Sequence, residues 1–142
     1  MKIRQAQEGL QIGLWIDHKG ATLVFMEHGA VRVERMESQA ESHYHLSGGR
    51  GSAGGSSVAQ SVSNEQRPEE RRKHQYHNFY QQLIKLIEPA NSILILGPGE
   101  AKLEFAKEIK AVKRFSTKVI TVETADKLSG HQLVAKVRDF FL

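Results

Sequence analysis

The order of apolar and polar positions divides the chain into two patterned halves and one unpatterned stretch. Ile12-Gly13-Leu14-Trp15-Ile16-Asp17 is a short apolar run of strand formers that stops at His18-Lys19-Gly20, a turn signal. Apolar character resumes from Ala21 to Glu27 and breaks again at His28-Gly29, where glycine supplies a positive φ at no steric cost. Val31 and Val33 then alternate with Arg32 and Glu34, with Arg35 next in the series. This pattern predicts three strands in an antiparallel meander, the third with one wet face.

Residues 37–66 have no apolar period and are dominated by Ser, Gly, Gln and Asn. Helical spacing begins after them. Pro68 suits a first helical turn, and Glu69 and Glu70 suit the positive end of the helix dipole. Tyr76, Phe79, Tyr80, Leu83, Ile84 and Ile87 form one apolar stripe, predicted to pack on the sheet, and Pro89 closes the helix. Ser92 to Leu96 is a continuous apolar run, the mark of a strand buried on both faces. After the turn Gly97-Pro98-Gly99, a second helix is predicted over 100–113, with Phe105, Ala106, Ile109 and Val112 inward. Lys118 to Glu123 reads as a fifth strand, and Ser129-Gly130-His131-Gln132 as a capping box. Leu133, Val134, Val137 and Phe140 or Phe141 complete a last helix. The predicted order is βββ–loop–α–β–α–β–α, an α/β fold whose fourth and fifth strands are parallel neighbours.

At 142 residues the chain is expected to be one domain, 1–142, with a long flexible Gly/Ser-rich loop at about 38–66. Hydrophobic content of 39% and charged content of 25% are those of a globular protein. Cysteine is absent, which excludes disulfides, thiolate catalysis and Cys-based zinc sites. No apolar run approaches the roughly 18 residues of a membrane span, so a soluble, cytoplasmic protein with no membrane partner is expected. The net charge of +4 favours anionic partners only weakly, and its placement matters more. Arg67, Arg71, Arg72, Lys73, His74 and His77 cluster at the start of the first helix, beside Tyr76 and Tyr80. Arginine forks bind phosphate oxygens and aromatic rings stack on unpaired bases, so this is a candidate RNA surface. A solvated helix face, with Glu69 and Glu70 paired to Lys73 and His74, is the plainer alternative.

The glycines at 48, 49, 51, 54 and 55 bring backbone N–H groups within reach of a phosphate or an oxyanion, or else form a simple linker. The segment is neither a Walker A motif nor a dinucleotide fingerprint. His43, His45, His74 and His77 offer metal ligands, but no cysteine supports them and no cofactor is implied. Asp17 sits where a ribonuclease H-type nuclease places a metal-binding carboxylate, yet such a site needs several acids, and Glu123 and Asp126 do not complete one. Asp17 is expected to open a hairpin turn. Gly97-Pro98-Gly99-Glu100 is expected to be a structural strand-to-helix turn, since Pro98 removes a donor and Glu100 repels an anion.

Taken together, these pieces resemble the middle domain of the eukaryotic and archaeal class I peptide-chain release factors and their Pelota relatives. The similarity runs through Gly13 to Ala21, an apolar strand ending in Asp followed by a Gly-Ala pair. It continues in the basic helix from Arg71 to Gln82, and in Ile93 to Phe105 with its Gly97-Pro98-Gly99 turn. The resemblance implies a ribonuclease H-like, translational-machinery-component type mixed sheet of five strands, as a single-domain bacterial-type relative. It also implies a partner, the ribosome or tRNA, in peptide release or ribosome rescue. In the release factors the loop before the basic helix carries Gly-Gly-Gln, which promotes hydrolysis of peptidyl-tRNA. Here the matching places are Gly48-Gly49-Arg50 and Gly54-Gly55-Ser56, so the glutamine is missing. By that likeness Gly48, Gly49 and Arg50 are the candidate catalytic residues, and Arg67, Arg71, Arg72, Lys73 and His77 the candidate RNA-binding residues. A non-catalytic RNA-binding or protein-interaction module is the alternative, and a metal-dependent ribonuclease ranks last.

Overall fold

The computed structural model describes residues 9–38 and 67–142, with side chains in the first helix described from Glu70 onward, Arg72 excepted. Strands β1 (Leu10–Asp17), β2 (Gly20–Glu27) and β3 (Ala30–Glu37) form the expected meander. Its two turns have distinct causes. At the first, Asp17 Oδ1 accepts hydrogen bonds from the backbone N–H groups of Lys19 and Gly20, at 2.9 and 3.0 Å. The carboxylate therefore serves the turn, as expected for a hairpin opener. At the second, His28 and Gly29 take φ values of 53° and 83°, the two consecutive positive values that a tight type I′ connection requires.

Helix α1 (Arg67–Ile87) leads to β4 (Ser92–Gly97), helix α2 (Ala101–Lys110), β5 (Val119–Thr124) and helix α3 (Gly130–Phe141). The five strands make one mixed sheet of order β3-β2-β1-β4-β5. β1 pairs antiparallel with β2 and parallel with β4, and β4 pairs parallel with β5. Every residue of β4 is buried.

Alternation along the central strands divides the core between the two sheet faces. Ile12, Leu14 and Ile16 of β1, with Leu23 and Phe25 of β2 and Ile93 and Ile95 of β4, pack against α1 and α2. Phe79, Tyr80, Leu83, Ile84 and Ile87 of α1 are buried there, and Tyr76 is partly buried. On the other face Trp15, Val24, Met26, Leu94 and Leu96 pack with Leu133, Val137 and Phe141 of α3. Gly13 makes this second contact close: a Cβ placed on it would lie 2.4 Å from Val137 Cγ2. The Trp15 indole N–H donates to the carbonyls of Ala125 and Asp126, at 3.1 and 3.0 Å, and so fixes the lead into α3. The predicted capping box is present. Ser129 Oγ accepts from Gln132 N–H at 3.1 Å, and Gln132 Oε1 accepts from Ser129 N–H at 2.9 Å.

Two boundaries differ from expectation. α2 ends at Lys110 rather than at 113, and a 3-10 turn at Lys113–Phe115 buries Phe115. β5 begins one residue late, at Val119. Among the described residues, no helix is long and apolar enough to cross a membrane.

Candidate functional site

α1 is apolar on one side only from Phe79 onward. The earlier described residues of the helix, Glu70, Arg71 and 73–78, are exposed or half-buried. The outer part of α1 lies beside α2 and the β1–β2 turn, and the three enclose an open cleft of about 1020 Å³. Its walls follow from three four-residue repeats. Tyr76 and Tyr80, then His77 and Gln81, succeed each other on α1, while Glu104 and Glu108 do so on α2. Residues four apart share a helix face, so each set points into the space between the helices.

Two hydrogen-bonded groups span the cleft. Glu104 Oε1 accepts the Tyr80 hydroxyl at 2.6 Å and meets His18 Nε2 at 3.0 Å. Glu108 takes the Gln81 amide at 2.9 Å and His77 Nδ1 at 3.0 Å. The His18 ring also stacks on Tyr76, with centroids 4.6 Å apart and planes inclined by 23°. Burial, and next the hydrogen bond to the Glu104 carboxylate, hold the Tyr80 phenol far above the ordinary tyrosine range. Tyr80 is therefore a fixed donor at any physiological pH. Lys73 and Lys107 add a positive group on each helix wall.

The candidate RNA-binding residues fall partly within this site. Lys73 and His77 line the cleft, His77 through its pair with Glu108, and the Arg71 side chain is exposed on α1. Arg67 and Arg72 lie on the same helix, and their side chains are outside the described set. Gly48, Gly49 and Arg50, together with His43 and His45, lie outside the described residues. Among the described residues no three His, Asp or Glu side chains gather as a metal site would need. The Gly97-Pro98-Gly99 turn is held from within, because Lys102, buried at 7% exposure, donates from Nζ to the Gly99 carbonyl at 2.6 Å. Sequence reasoning missed His18, Glu104 and Glu108. The signal was available in the matching i, i+4 spacing of the α1 rings and the α2 carboxylates.

No family model matches the chain, and no curated protein matches it in sequence. Solved structures do match in fold. The Pelota protein of Thermoplasma acidophilum superposes over 94% of this chain with a TM-score of 0.54 and 14% identity. Archaeoglobus fulgidus Pelota does so over 96%, with a TM-score of 0.54 and 13% identity. The archaeal translation termination factor aRF1 covers 87%, with a TM-score of 0.50 and 14% identity. The chain spans about a third of the length of each, 32–33%. The five-stranded mixed sheet and its helices thus have the fold of part of Pelota and aRF1.

Proposed function

We propose that this chain is a translation-factor-like protein that engages the ribosome or tRNA, as one cytoplasmic unit resembling the release-factor middle domain. The observation that carries this is the likeness in fold to Pelota and to a translation termination factor over most of the chain. In this reading residues 38–66, placed between β3 and α1, reach toward RNA. Arg67, Arg71, Arg72, Lys73 and His77 hold the phosphate backbone. The finer step is peptidyl-tRNA hydrolysis. The N–H groups of Gly48 and Gly49 stabilise the oxyanion as water attacks the ester, and Arg50 contacts the carbonyl or a phosphate. Arg50 and Ser56 stand where a glutamine would follow each glycine pair, which favours a second reading in which the chain binds without hydrolysis.

Co-sedimentation with ribosomes tests the binding. The protein is expected to pellet at low salt and dissociate as salt rises, and charge reversal at Arg71 and Arg72 to flatten that dependence. Failure to pellet at any salt removes the ribosome, and failure to bind tRNA as well overturns the proposal. A release assay on stalled peptidyl-tRNA tests the hydrolysis. Equal rates for wild type and a Gly48→Ala/Gly49→Ala variant would remove the loop from catalysis and leave the binding reading.

A further inference from the structure

The cleft between α1, α2 and the β1–β2 turn combines features that no single structural purpose requires. Its ring wall, the His18–Tyr76 stack, stays half-open to solvent, with the His18 side chain 34% exposed. Its lining also holds two carboxylates one helical turn apart, Glu104 and Glu108. Its rim holds Lys73 and Lys107, both exposed and on opposite helices. We propose that this cleft binds one unpaired, amino-bearing nucleobase of a single-stranded RNA, stacked on the His18–Tyr76 rings and read by Glu104 and Glu108. The proposal deepens the reading that α1 faces RNA, and it rests on that reading.

The mixed charge selects the ligand class. A simple cation entering the cleft meets Lys73 and Lys107. A simple anion meets Glu104 and Glu108. A nucleotide satisfies both, because its base edge donates hydrogen bonds while its flanking phosphates are anionic. A planar base extends an existing ring stack, the usual way proteins hold splayed-out RNA bases. The carboxylates can still serve it. A carboxylate offers about four lone-pair sites. The bonds from Tyr80 and His18 both fall on Oε1 of Glu104, whereas on Glu108 the Gln81 amide holds Oε1 and His77 Nδ1 reaches both oxygens, so Glu104 is the more available acceptor. Glutamate accepting from the cytosine amino group is an established pairing of this kind. Uracil presents a carbonyl at the same position, which faces the carboxylate's lone pairs, and offers one ring N–H in place of the two donors of the amino group. A double helix hides these edges, so the strand must be single. The volume of about 1020 Å³ is ample for a base with its adjoining sugars and phosphates.

Fluorescence anisotropy of the full chain with labelled oligocytidine and oligouridine hexamers tests this directly. Cytidine and uridine stack comparably and differ along one base edge, where cytosine carries the amino group beside an acceptor N3 and uracil a carbonyl beside a single N3–H. The wild type is expected to prefer the cytidine hexamer by about tenfold, and Glu104→Gln/Glu108→Gln to bring the two near parity. Lys73→Glu/Lys107→Glu is expected to weaken both hexamers and reduce the salt dependence, and Tyr76→Ala to weaken both by about tenfold. Circular dichroism confirms that each variant folds, and the two lysines are exposed enough for their replacement to leave the core intact. Equal affinity for the two hexamers in the wild type, no binding of either, or an unchanged preference in the glutamine variant overturns the proposal. Ribosome pelleting separates it from the broader reading. Pelleting with no hexamer preference removes the cleft alone, whereas cytidine binding without pelleting removes the ribosome alone.

Discussion

Tyr80 carries two roles on one side chain. Its ring is buried among Phe79 and Phe105, with centroids 5.6 and 5.7 Å away, while its hydroxyl holds Glu104 in place. Tyr80→Phe keeps the ring and removes the donor, and is expected to lower stability at neutral pH by about 1–2 kcal/mol in urea unfolding. The pH dependence follows from the raised phenol. Above the ordinary tyrosine value of about 10 the unfolded chain releases this proton and the folded chain keeps it. Wild-type stability should therefore fall with a slope of up to about 1.4 kcal/mol per pH unit from this group, and the two proteins should converge above that pH. Parallel curves would mean that the phenol ionises as freely in the fold as outside it. The ring of Tyr80 was legible in the apolar stripe of α1. Its hydroxyl partner was not, since it depends on how α2 settles beside α1, and one helix's periodicity is silent on its neighbour.

At the scale of elements, the most exacting contact is that of α3 with β1. Gly13 leaves no room for a methyl group beneath Val137. Gly13→Ala should thus destabilise by about 1–3 kcal/mol through overpacking. Val137→Ala, which opens a space at the same point, should offset part of that loss when combined with it. A double-mutant cycle by thermal or urea unfolding measures the coupling, and additive effects would show that α3 is not seated on Gly13. The elements themselves were legible where pattern and punctuation agreed. The continuous apolar run of β4, the capping box of α3 and the His28-Gly29 turn all form as their residues dictate. The end of α2 was not legible, because Val112 continues a helical period. The chain leaves that helix for the 3-10 turn that buries Phe115, a tertiary preference that local spacing does not carry.

Across the whole molecule, the sheet ends in a strand guarded by charge. On β3, Arg32 pairs with Glu34, and Arg35 donates to Glu37 at 2.8 Å, which holds the Glu37 carboxyl below its ordinary range. Arg32 also lies over the Phe25 ring, 4.1 Å from its centroid, and Arg35 reaches Thr22 on the neighbouring strand at 3.1 Å. Charged side chains of this kind discourage a bare strand edge from pairing with another copy. Replacing Arg32 and Arg35 by valine should raise self-association in sedimentation experiments at high concentration, and an unchanged sedimentation profile would assign the protection elsewhere. The meander and the parallel β4–β5 pair were within reach of the sequence, because turn signals and a βαβ alternation constrain topology strongly, whereas the β1–β4 pairing that joins them was not. The cleft was not, because its walls come from three elements far apart in the chain.

His18 belongs to two assemblies through different atoms. Its imidazole stands in the cleft, while its main-chain carbonyl accepts the Ser38 hydroxyl at 2.6 Å, and the Lys19 carbonyl beside it accepts Ser38 N–H at 2.9 Å. Ring and carbonyl can thus be dissected by separate single substitutions. His18→Ala strips the cleft and spares the carbonyl that moors the end of β3. Ser38→Ala loosens that mooring and leaves the ring on Tyr76. A paired comparison of the two therefore tells whether events in the cleft and events beyond residue 38 are one activity or two.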